Sequence, residues 1–532
     1  MARTLVPLIP LTSRPAPRAG AALLALVMVA AAAVLRVDTP INHDVAWNLV
    51  AAARMLGGGS YADDFFELHM PVGIALYLPV RLLATGCHLP LAIALYLWVV
   101  ALSAQSIYLS ARVFKLPVRA GADNRYALGW LVWQLIGFLL LPGYHFAQKE
   151  HLLVILVLPF LLLLGSDGAA QRRGLRIHVT LLAALGCFLK PHYALLPLLL
   201  LTVRAAQDRN WQALRSLEAL IIIGSGLVNA LFVIGCYPDW FTVAQWAADL
   251  YGGYRRGTFA EVIDGVPLWV CVGSASGSVL LAVSDRGFRA YAVFLLATAA
   301  YGLCTYLLQY KGWEYQFLPV SLTLFLLSGL AFLQMVAILP QPRPWRRTLL
   351  ALTVVMAAVG LAQVLRTTRQ LPRWSLLQQS SIGEALSVAA RGEHVYVFST
   401  TIVPIFPTVV QLGLDWGSRL PSLWPLAGLR ALDHHDHGAG SARYARYAQQ
   451  LRSMVADDFA RYAPTVVVLD RRNGQFGLPA GFNILDYFLT DQRFAALWQR
   501  YALIGSSPAF SVYARAHPAT AVPSAASGPA PP

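Results

Sequence analysis

The sequence predicts a polytopic α-helical membrane protein of about eleven transmembrane helices, with interfacial helices in the first extracytoplasmic loop and a small C-terminal α/β domain. Of the 532 residues, 57% are hydrophobic and only 13% are charged, and the mean hydropathy is +0.56. A soluble core could not hide so much apolar surface. The long apolar runs stop near residue 370, where the predicted C-terminal domain begins.

Charge and cysteines exclude two other classes. The formal charge of +15 does not indicate nucleic acid binding, because the basic residues fall in short connections between apolar runs, where membrane orientation explains them. The cysteines form no CxxC pair and lie in or beside apolar segments, so they indicate neither a zinc site nor a disulfide framework. The first apolar run lacks a small-residue cleavage site, and we expect it to be a retained span.

The apolar runs, compared with the ~20 residues that cross a bilayer, give the order of the spans. They cover roughly residues 20–35, 89–111, 126–143, 150–165, 177–203, 214–236, 266–284, 288–308, 315–338 and 347–365. The run 177–203 contains Lys190 and Pro191 at its centre and has basic flanks on both sides. We expect it to form two short helices that meet near Lys190.

The run 71–86 is short and contains Pro79 and Arg81, so we expect it to lie in the interface. This assignment places the basic loops at residues 112–125, 172–176, 204–215, 286–289 and 343–347 on one side, together with the basic N-terminus. The positive-inside rule then makes the N-terminus cytoplasmic and everything after about residue 366 extracytoplasmic. We expect the protein to be integral to the cell (inner) membrane.

The predicted organisation has four parts. Residues 1–19 form a cytoplasmic segment, residues 20–366 the transmembrane domain with an extracytoplasmic loop at 36–88, and residues 367–515 the extracytoplasmic α/β domain. The strand-like segments "HVYVFS" and "TVVVLD" and the helical "ARYAQQLRSMVADDFARYA" predict that domain, a candidate for acceptor binding. Residues 516–532 form an Ala/Pro/Ser-rich tail that we expect to be disordered.

The histidines of "DHHDHG" lack zinc-site spacing and predict a solvated loop at 433–438.

Ionisable residues gather on the predicted extracytoplasmic face, where such groups usually mark a site or a path. They occur in the first loop, in "FAQKEHLL", at the "LKPHY" break, at Arg255 and Arg256, which we interpret as loop charges, and in "QYKGWEYQ". Carboxylates that face several cations, with aromatic residues at the rim, suit an anionic lipid head group.

These motifs, "HDVAWNL", "GGGSYADDFFELHMPVGIALYLP", "FAQKEHLL", "LKPHY" and "KGWEYQFLP", resemble the GT-C glycosyltransferases in order and topology over roughly residues 20–340. The resemblance is greatest to the protein O-mannosyltransferase and lipid A aminoarabinose transferase branch. It implies transfer of a hexosyl or pentosyl group from a polyprenyl phosphate carrier to a glycolipid, polysaccharide or protein acceptor. We expect the transfer to invert the anomeric configuration. The first motif has His-Asp-Val where many relatives have Asp-Glu, and the second has Glu150 where relatives often have Asp.

The resemblance makes Asp44 the catalytic carboxylate and Glu150 the second acidic position, assisting the base or binding a metal. A hydroxyl acceptor needs such a base or cation near neutral pH. Asp44 could instead cap a helix beginning at Val45, and Glu150 could pair with Lys149 or anchor the interface. Any metal would be a divalent cation, Mg or Mn, bound by Asp44 and Glu150.

The substrate-binding candidates are the remaining polar and aromatic residues of these motifs. They are His43, Asp64, Glu67, His69, Lys149, Lys190, His192, Lys311 and Trp313. His69 stands where the aminoarabinose branch has a lysine that the family uses for the carrier phosphate; Lys190 and Lys311 are alternatives, since lysine at a membrane face suits a phosphate. These cations could also be snorkelling anchors.

Two other functions are compatible with the same residues. A secondary transporter would use Asp44, Glu150 and Lys190 as a substrate or ion path, although no repeat between the halves is evident and the charge lies on one face. A lipid-linked glycan ligase would use the same carrier as a single-sugar transferase.

Overall fold

The computed structural model describes residues 16–113, 123–166, 171–251, 254, 257–284, 286–338, 344–403, 405–435, 440–472, 475 and 477–516. Internal contacts divide the chain into two units, Met1–Leu376 and Leu377–Pro532. Arg255, Arg256, residues 436–439 and the tail from His517 lie outside the described residues, so the predictions made for them stay predictions.

All regular secondary structure in the described part of the first unit is helical. Its first eleven helices are α1 (Ala16–Arg36), α2 (His43–Leu56), α3 (Pro71–Ala75), α4 (Leu78–Gly86), α5 (Leu91–Val113), α6 (Asp123–Leu139), α7 (Lys149–Gly165), α8 (Arg173–Cys187), α9 (Leu196–Asp208), α10 (Leu217–Cys236) and α11 (Trp240–Trp246). The later helices are Phe259–Ile263, Val266–Val283, Arg286–Gln309, Leu318–Ile338, Pro344–Arg369 and Trp374–Gln378. Short 3-10 turns at Gly143–His145, Pro191–Leu195, Trp211–Arg215 and Glu314–Phe317 and a π turn at Ala247–Tyr251 connect them.

Six segments of the described chain are long and apolar enough to cross a membrane: Leu91–Val113, Leu217–Cys236, Phe259–Val283, Phe288–Gln309, Glu314–Val336 and Pro344–Gln378. Shorter apolar helices occur at Gly20–Arg36, Pro71–Gly86 and Tyr126–Leu139. The chain is therefore a multi-pass membrane protein, whereas the count of about eleven spans and the orientation of the termini stay predictions.

Helix α7 forms the centre of the first unit. All seventeen of its residues are buried, although an isolated membrane helix would expose much of its surface to lipid. It packs against α5, α8 and the helices Arg286–Gln309 and Leu318–Ile338. This burial carries Lys149 and Glu150, the first two residues of α7, into the interior of the protein.

The helical run is interrupted near Lys190, as the sequence predicts. Helix α8 ends at Cys187, Lys190 has extended backbone angles, and a 3-10 turn from Pro191 leads into α9. Proline disfavours a helical conformation in the residue before it, which accounts for the break at this position. The run 71–86 likewise divides into α3 and α4, each with a proline in its first turn.

The second unit has a five-stranded sheet in the order β2-β1-β3-β5-β4. The strands are β1 (His394–Phe398), β2 (Asp415–Trp416), β3 (Val466–Asp470), β4 (Tyr501–Ser506) and β5 (Phe510–Arg515). Strand β1 pairs in parallel with β2 and β3, and β5 pairs antiparallel with β3 and β4. The helices of this unit are Ser381–Leu386, Ile405–Leu412, Trp424–His435, Gly440–Tyr462, Ile484–Leu489 and Gln492–Trp498.

The sequence predicts β1, β3 and the helix Gly440–Tyr462 of this unit correctly. The loop predicted at 433–438 is wrong for its first three residues, because the helix Trp424–His435 continues through them.

Candidate active site

Asp44 lies in the first turn of α2 with a partly exposed carboxylate. Its Oδ2 accepts a hydrogen bond of 2.9 Å from Gln148 Nε2, and its Oδ1 lies 3.7 Å from His43 Nε2. The side chain is 28% exposed, so one edge remains accessible. Burial raises the pKa of Asp44, but the charges of His43, His69 and Lys190 and the Gln148 hydrogen bond together lower it below its ordinary value.

Asp44 is not the N-cap of α2, so that interpretation is wrong. The helix begins at His43, and the side chain of Asn42 accepts a hydrogen bond of 3.0 Å from the backbone N–H of Asp44. Asn42 therefore satisfies the free N–H that an N-cap satisfies. The Gln148 amide joins this arrangement, since its Nε2 also donates to Asn42 Oδ1 at 2.7 Å. The Asp44 carboxylate is thus free of a capping role.

The loop before α7 fixes the surroundings of Asp44. Tyr144 OH lies 3.3 Å from His43 Nδ1, and Arg36 at the end of α1 donates to the carbonyl oxygens of Gly143 at 3.1 Å and Leu139 at 3.0 Å. The Arg36 guanidinium also lies 4.0 Å from the centre of the Phe146 ring. These contacts hold the segment that presents Gln148 to Asp44.

Glu150 pairs with Lys190, whereas the sequence analysis offered Lys149 as its partner. The Lys190 ammonium donates to Glu150 Oε1, and both side chains are almost fully buried. Lys190 Nζ also lies 5.1 Å from the centre of the Tyr315 ring. The break after α8 therefore places a cation against the buried second carboxylate.

Glu67 and His69 form a second polar group within the first loop. Glu67 accepts hydrogen bonds from the indole of Trp47 and from the backbone N–H of His69, and it contacts the His69 ring. Burial raises the pKa of Glu67, but the charge and hydrogen bonds of His69 and the charge of Lys149 lower it to about 2. Burial is also the main reason why the pKa of His69 is lowered. The His69 ring is thus occupied by its contact with Glu67.

Lys149 is a buried cation whose hydrogen-bond partner is a neutral amide. Its side chain is fully buried, and its Nζ donates to the neutral Asn48 Oδ1 at 2.8 Å and lies 5.8 Å from the centre of the Tyr77 ring. No carboxylate of the described residues lies within 4.0 Å of it. Its longer-range interactions join it to Glu67, Lys190, Glu150 and Asp44.

Gly73 gives α3 room to approach this lysine. A Cβ atom at Gly73 would lie 2.7 Å from the Leu189 carbonyl oxygen and 3.1 Å from Lys149 Cε. The first loop, α7 and the tip between α8 and α9 therefore meet at one point. Any larger residue at position 73 would displace one of these segments.

Lys311 lies among aromatic rings. Its Nζ donates to the Tyr251 carbonyl oxygen at 3.0 Å and lies 4.9 Å and 5.8 Å from the centres of the Tyr251 and Trp313 rings. The Trp313 ring stacks on Tyr315, the ring that Lys190 also approaches. An aromatic wall of Tyr251, Trp313 and Tyr315 thus extends from Lys311 to Lys190.

Two of the predicted binding residues have local roles in the structure. Asp64 Oδ2 accepts a hydrogen bond of 2.7 Å from the backbone N–H of Ser60, which closes a turn in the first loop. His192 follows the break at Lys190, and its ring packs edge-on against Tyr193. Its carbonyl oxygen accepts a hydrogen bond from Tyr301 OH.

Sequence reasoning missed the neutral residues that organise the site. Asn42, Asn48 and Gln148 contact Asp44 or Lys149, and Tyr77 and Tyr315 face the two buried lysines. Only Asn42 carried a usable signal, since asparagine before a helix is a preferred N-cap.

The described side chains do not fit a divalent cation at Asp44 and Glu150. Within the described ranges, no group of three or more His, Cys, Asp or Glu residues is arranged to hold a metal ion. Lys190 already neutralises Glu150, and a second ammonium, Lys149, interacts with both carboxylates. A Mg²⁺ or Mn²⁺ site normally has several oxygen ligands and no competing cation.

Comparisons with known proteins establish the fold. No protein-family model matches the chain, and no curated protein matches it by sequence. Among solved structures, the chain is similar to ArnT from Cupriavidus metallidurans in the apo state, with a TM-score of 0.51 and 13% sequence identity. The match covers 93% of this chain and 98% of that chain. The chain therefore has an ArnT-like fold.

Proposed function

We propose that this chain is a membrane glycosyltransferase that moves a sugar from a polyprenyl-phosphate-linked donor to an extracytoplasmic glycan, lipid or protein acceptor. The likeness to ArnT, a lipid A aminoarabinose transferase, supports the proposal at the level of the fold, and fold alone does not determine function. The site supplies the chemical argument. The observation that carries it is an accessible carboxylate, Asp44, in the same electrostatic cluster as a buried ammonium, Lys149, whose hydrogen-bond partner is a neutral amide.

Asp44 suits the role of the base. Its pKa below the ordinary value keeps the carboxylate ionised at neutral pH, and its exposed edge gives an acceptor hydroxyl access. The hydroxyl oxygen attacks the anomeric carbon, the bond from that carbon to the phosphate oxygen breaks, and Asp44 receives the hydroxyl proton. Gln148 and His43 orient the carboxylate during this step.

In this proposal Lys149 binds the phosphate of the lipid carrier. Among the candidate cations, Lys190 is paired with Glu150 and His69 is paired with Glu67. Lys311 lies at the other end of the aromatic wall from Lys190. A buried ammonium without a carboxylate is costly unless an anion compensates it. A phosphate would supply that anion, and Lys149 would stabilise the charge that develops on it as a leaving group.

The other candidates then have supporting roles in the proposal. The Glu150–Lys190 pair would contact and position the donor. The aromatic wall that includes Trp313 would pack against the face of the sugar ring. Glu67 and His69 would hold the first loop against the site, and the chain would act in the inner membrane.

The experiment is a transfer assay on the purified full-length protein in proteoliposomes, with a panel of radiolabelled polyprenyl phosphate sugars. We expect release of the polyprenyl phosphate from at least one donor, together with a labelled acceptor from an envelope extract. Uptake of an intact donor without cleavage would instead support the transporter. No turnover of any donor by correctly folded protein would contradict the proposal.

A further inference from the structure

The second unit has a cavity of about 200 Å³ at the carboxyl end of strand β3. The helix Ile405–Leu412 leads from β1 to β2, and the chain then continues to β3 on the other side of β1. The strand order therefore reverses its direction between the parallel strands β1 and β3. Open α/β sheets bind ligands in the crevice outside the carboxyl ends of the strands at such a point. The topology of this unit thus indicates a binding site where the cavity lies.

A buried carboxylate joins the ends of these two strands. Asp470, the last residue of β3, accepts a hydrogen bond of 2.8 Å from the hydroxyl of Ser399, which directly follows β1. Arg472 donates to both carboxylate oxygens of Asp470, at 2.9 Å and 2.7 Å. The Asp470 side chain is fully buried. Asp470 and Arg472 therefore form a neutral pair in the wall of the cavity.

Arg471 supplies the charge that this pair leaves over. Its Nη1 donates to the hydroxyl oxygens of Ser506 at 3.1 Å and of Ser511 at 3.4 Å, both of which are neutral. With two arginines and one aspartate, the lining carries one net positive charge. A guanidinium binds a carboxylate through two parallel hydrogen bonds, whereas a phosphate monoester brings nearly two negative charges. The cavity therefore suits a ligand with a single carboxylate.

Gln475 adds a second requirement for the ligand. Its Nε2 donates to the carbonyl oxygen of Asp470, which fixes the orientation of the amide. Its Oε1 is buried and has no hydrogen-bond partner in the described part of the chain. Asn483, the remaining polar side chain of the lining, caps the helix Ile484–Leu489 and donates to Asp486. A buried acceptor is unfavourable without a donor, and a hydroxyl of the ligand would satisfy Gln475.

The rest of the lining limits the size of the ligand. Apolar residues, among them Leu478, Pro479 and Phe482, complete the cavity. Its volume is smaller than the roughly 300–1,000 Å³ of sites for drug-sized ligands, so it holds one small ring. Leucine, proline and phenylalanine side chains can pack against the C–H face of a sugar.

We propose that this cavity binds a sugar carboxylate of the uronic acid class, with the carboxylate on Arg471 and a ring hydroxyl donating to Gln475 Oε1. All residues of the site belong to the second unit. The proposal therefore stands whether or not the transfer reaction at Asp44 is correct.

The test measures binding and needs no turnover. The full-length protein in nanodiscs is titrated with D-glucuronate, D-glucose and D-glucose 6-phosphate, and binding is followed by ligand-observed NMR. We expect glucuronate to bind roughly 10- to 150-fold more tightly than glucose, the range of one charge-assisted hydrogen bond. Glucose 6-phosphate should bind more weakly than glucuronate. Methyl glucuronide has a blocked anomeric oxygen: equal binding would identify a uronate within a glycan, and weaker binding a free sugar acid, both in support of the proposal.

Matched variants locate the effect. Arg471→Gln should reduce the affinity for glucuronate to that for glucose, whereas Arg493→Gln should preserve it, because Arg493 pairs with Asp457 and does not line the cavity. Gln475→Leu should weaken glucuronate about 3- to 10-fold, the range of one neutral hydrogen bond. The same variant should bind cyclohexanecarboxylate, a ring without hydroxyls, as tightly as wild type does.

Thermal unfolding controls for the fold of the variants. The Arg471 side chain is exposed, so Arg471→Gln should unfold at the wild-type temperature when no ligand is present. Glucuronate binding that survives Arg471→Gln would overturn the proposal. Equal affinities for glucuronate and glucose, tighter binding of glucose 6-phosphate, or no binding of glucuronate by the folded protein would overturn it as well.

Discussion

Lys149 and Lys190 are both buried, but their different partners predict opposite responses to removal of the charge. Lys149 contacts only neutral groups within hydrogen-bond distance, whereas Lys190 pairs with the buried Glu150. Methionine replaces a lysine with a side chain of similar shape and no charge. Comparing Lys149→Met with Lys190→Met therefore separates a ligand-binding cation from a structural one.

The magnitudes follow from these contacts. Lys149→Met removes the desolvation cost of a buried ammonium and leaves Asn48 Oδ1 without its donor, a loss of about 1–3 kcal/mol. We therefore expect an unfolding free energy within about 2 kcal/mol of wild type. Lys190→Met leaves Glu150 buried and unpaired, a loss of about 3–5 kcal/mol. A lost charge-assisted hydrogen bond to phosphate, about 1.5–3 kcal/mol, corresponds to a roughly 10- to 150-fold rise in donor KM.

The assay combines thermal unfolding in detergent with donor kinetics in proteoliposomes. Lys149→Met should fold normally and raise the donor KM more than it lowers kcat, because the phosphate is bound in the ground state as well as the transition state. Lys190→Met should unfold at a clearly lower temperature. A Lys149→Met protein with unchanged donor KM, or with the stability loss of Lys190→Met, would refute the reasoning.

Two further predictions concern the geometry and the pH dependence of the site. Gly73→Ala should raise the donor KM at least several-fold, since its Cβ would displace Lys149 or the Leu189 carbonyl, whereas Gly86→Ala meets open space and should match wild type; equal kinetics for the two variants would contradict the packing at Gly73. Because the pKa of Asp44 is lowered, its carboxylate stays ionised from pH 5 upward and protonates only below its ordinary pKa of about 3.9. A pH–rate profile should therefore show no acid limb from Asp44 between pH 5 and 8, and an apparent pKa in that range that disappears in Asp44→Asn would count against the assignment.

The sequence was sufficient for those features that depend on local patterns. Apolar runs predicted the membrane class, and the lysine-proline pair predicted the break between α8 and α9. Alternating and continuous apolar segments predicted β1 and β3. Strand β4 escaped prediction because most of its residues are exposed, so it has no buried face to create a period-two pattern.

The pairing of the site residues depended on tertiary structure. Glu150 and Lys149 are adjacent in sequence, but neighbouring residues on a helix do not face each other. The packing of α7 against α8 instead brings Lys190 to Glu150 and leaves Lys149 among neutral groups. Similarly, Asn42, His43 and Asp44 are consecutive polar residues, and only the structure shows that Asn42 takes the capping role and leaves Asp44 free for chemistry.

The central claim is that Asp44 is the base of the transfer reaction, and Asp44→Asn tests it most directly. The variant keeps the Asn42 cap and an oxygen that can accept from Gln148, so it should lose no more than the helix-dipole contribution of about 0.3–1 kcal/mol. Asp38→Asn is the control, because among the described residues the Asp38 carboxylate is hydrogen-bonded to Ser375 and to no residue of the site. We predict that turnover by Asp44→Asn falls by a factor of ~10² to 10⁴, while Asp38→Asn retains turnover close to wild type. Loss of a base should cost a factor of at least ~10² in turnover. If folded Asp44→Asn keeps more than roughly a tenth of wild-type turnover, the account is contradicted.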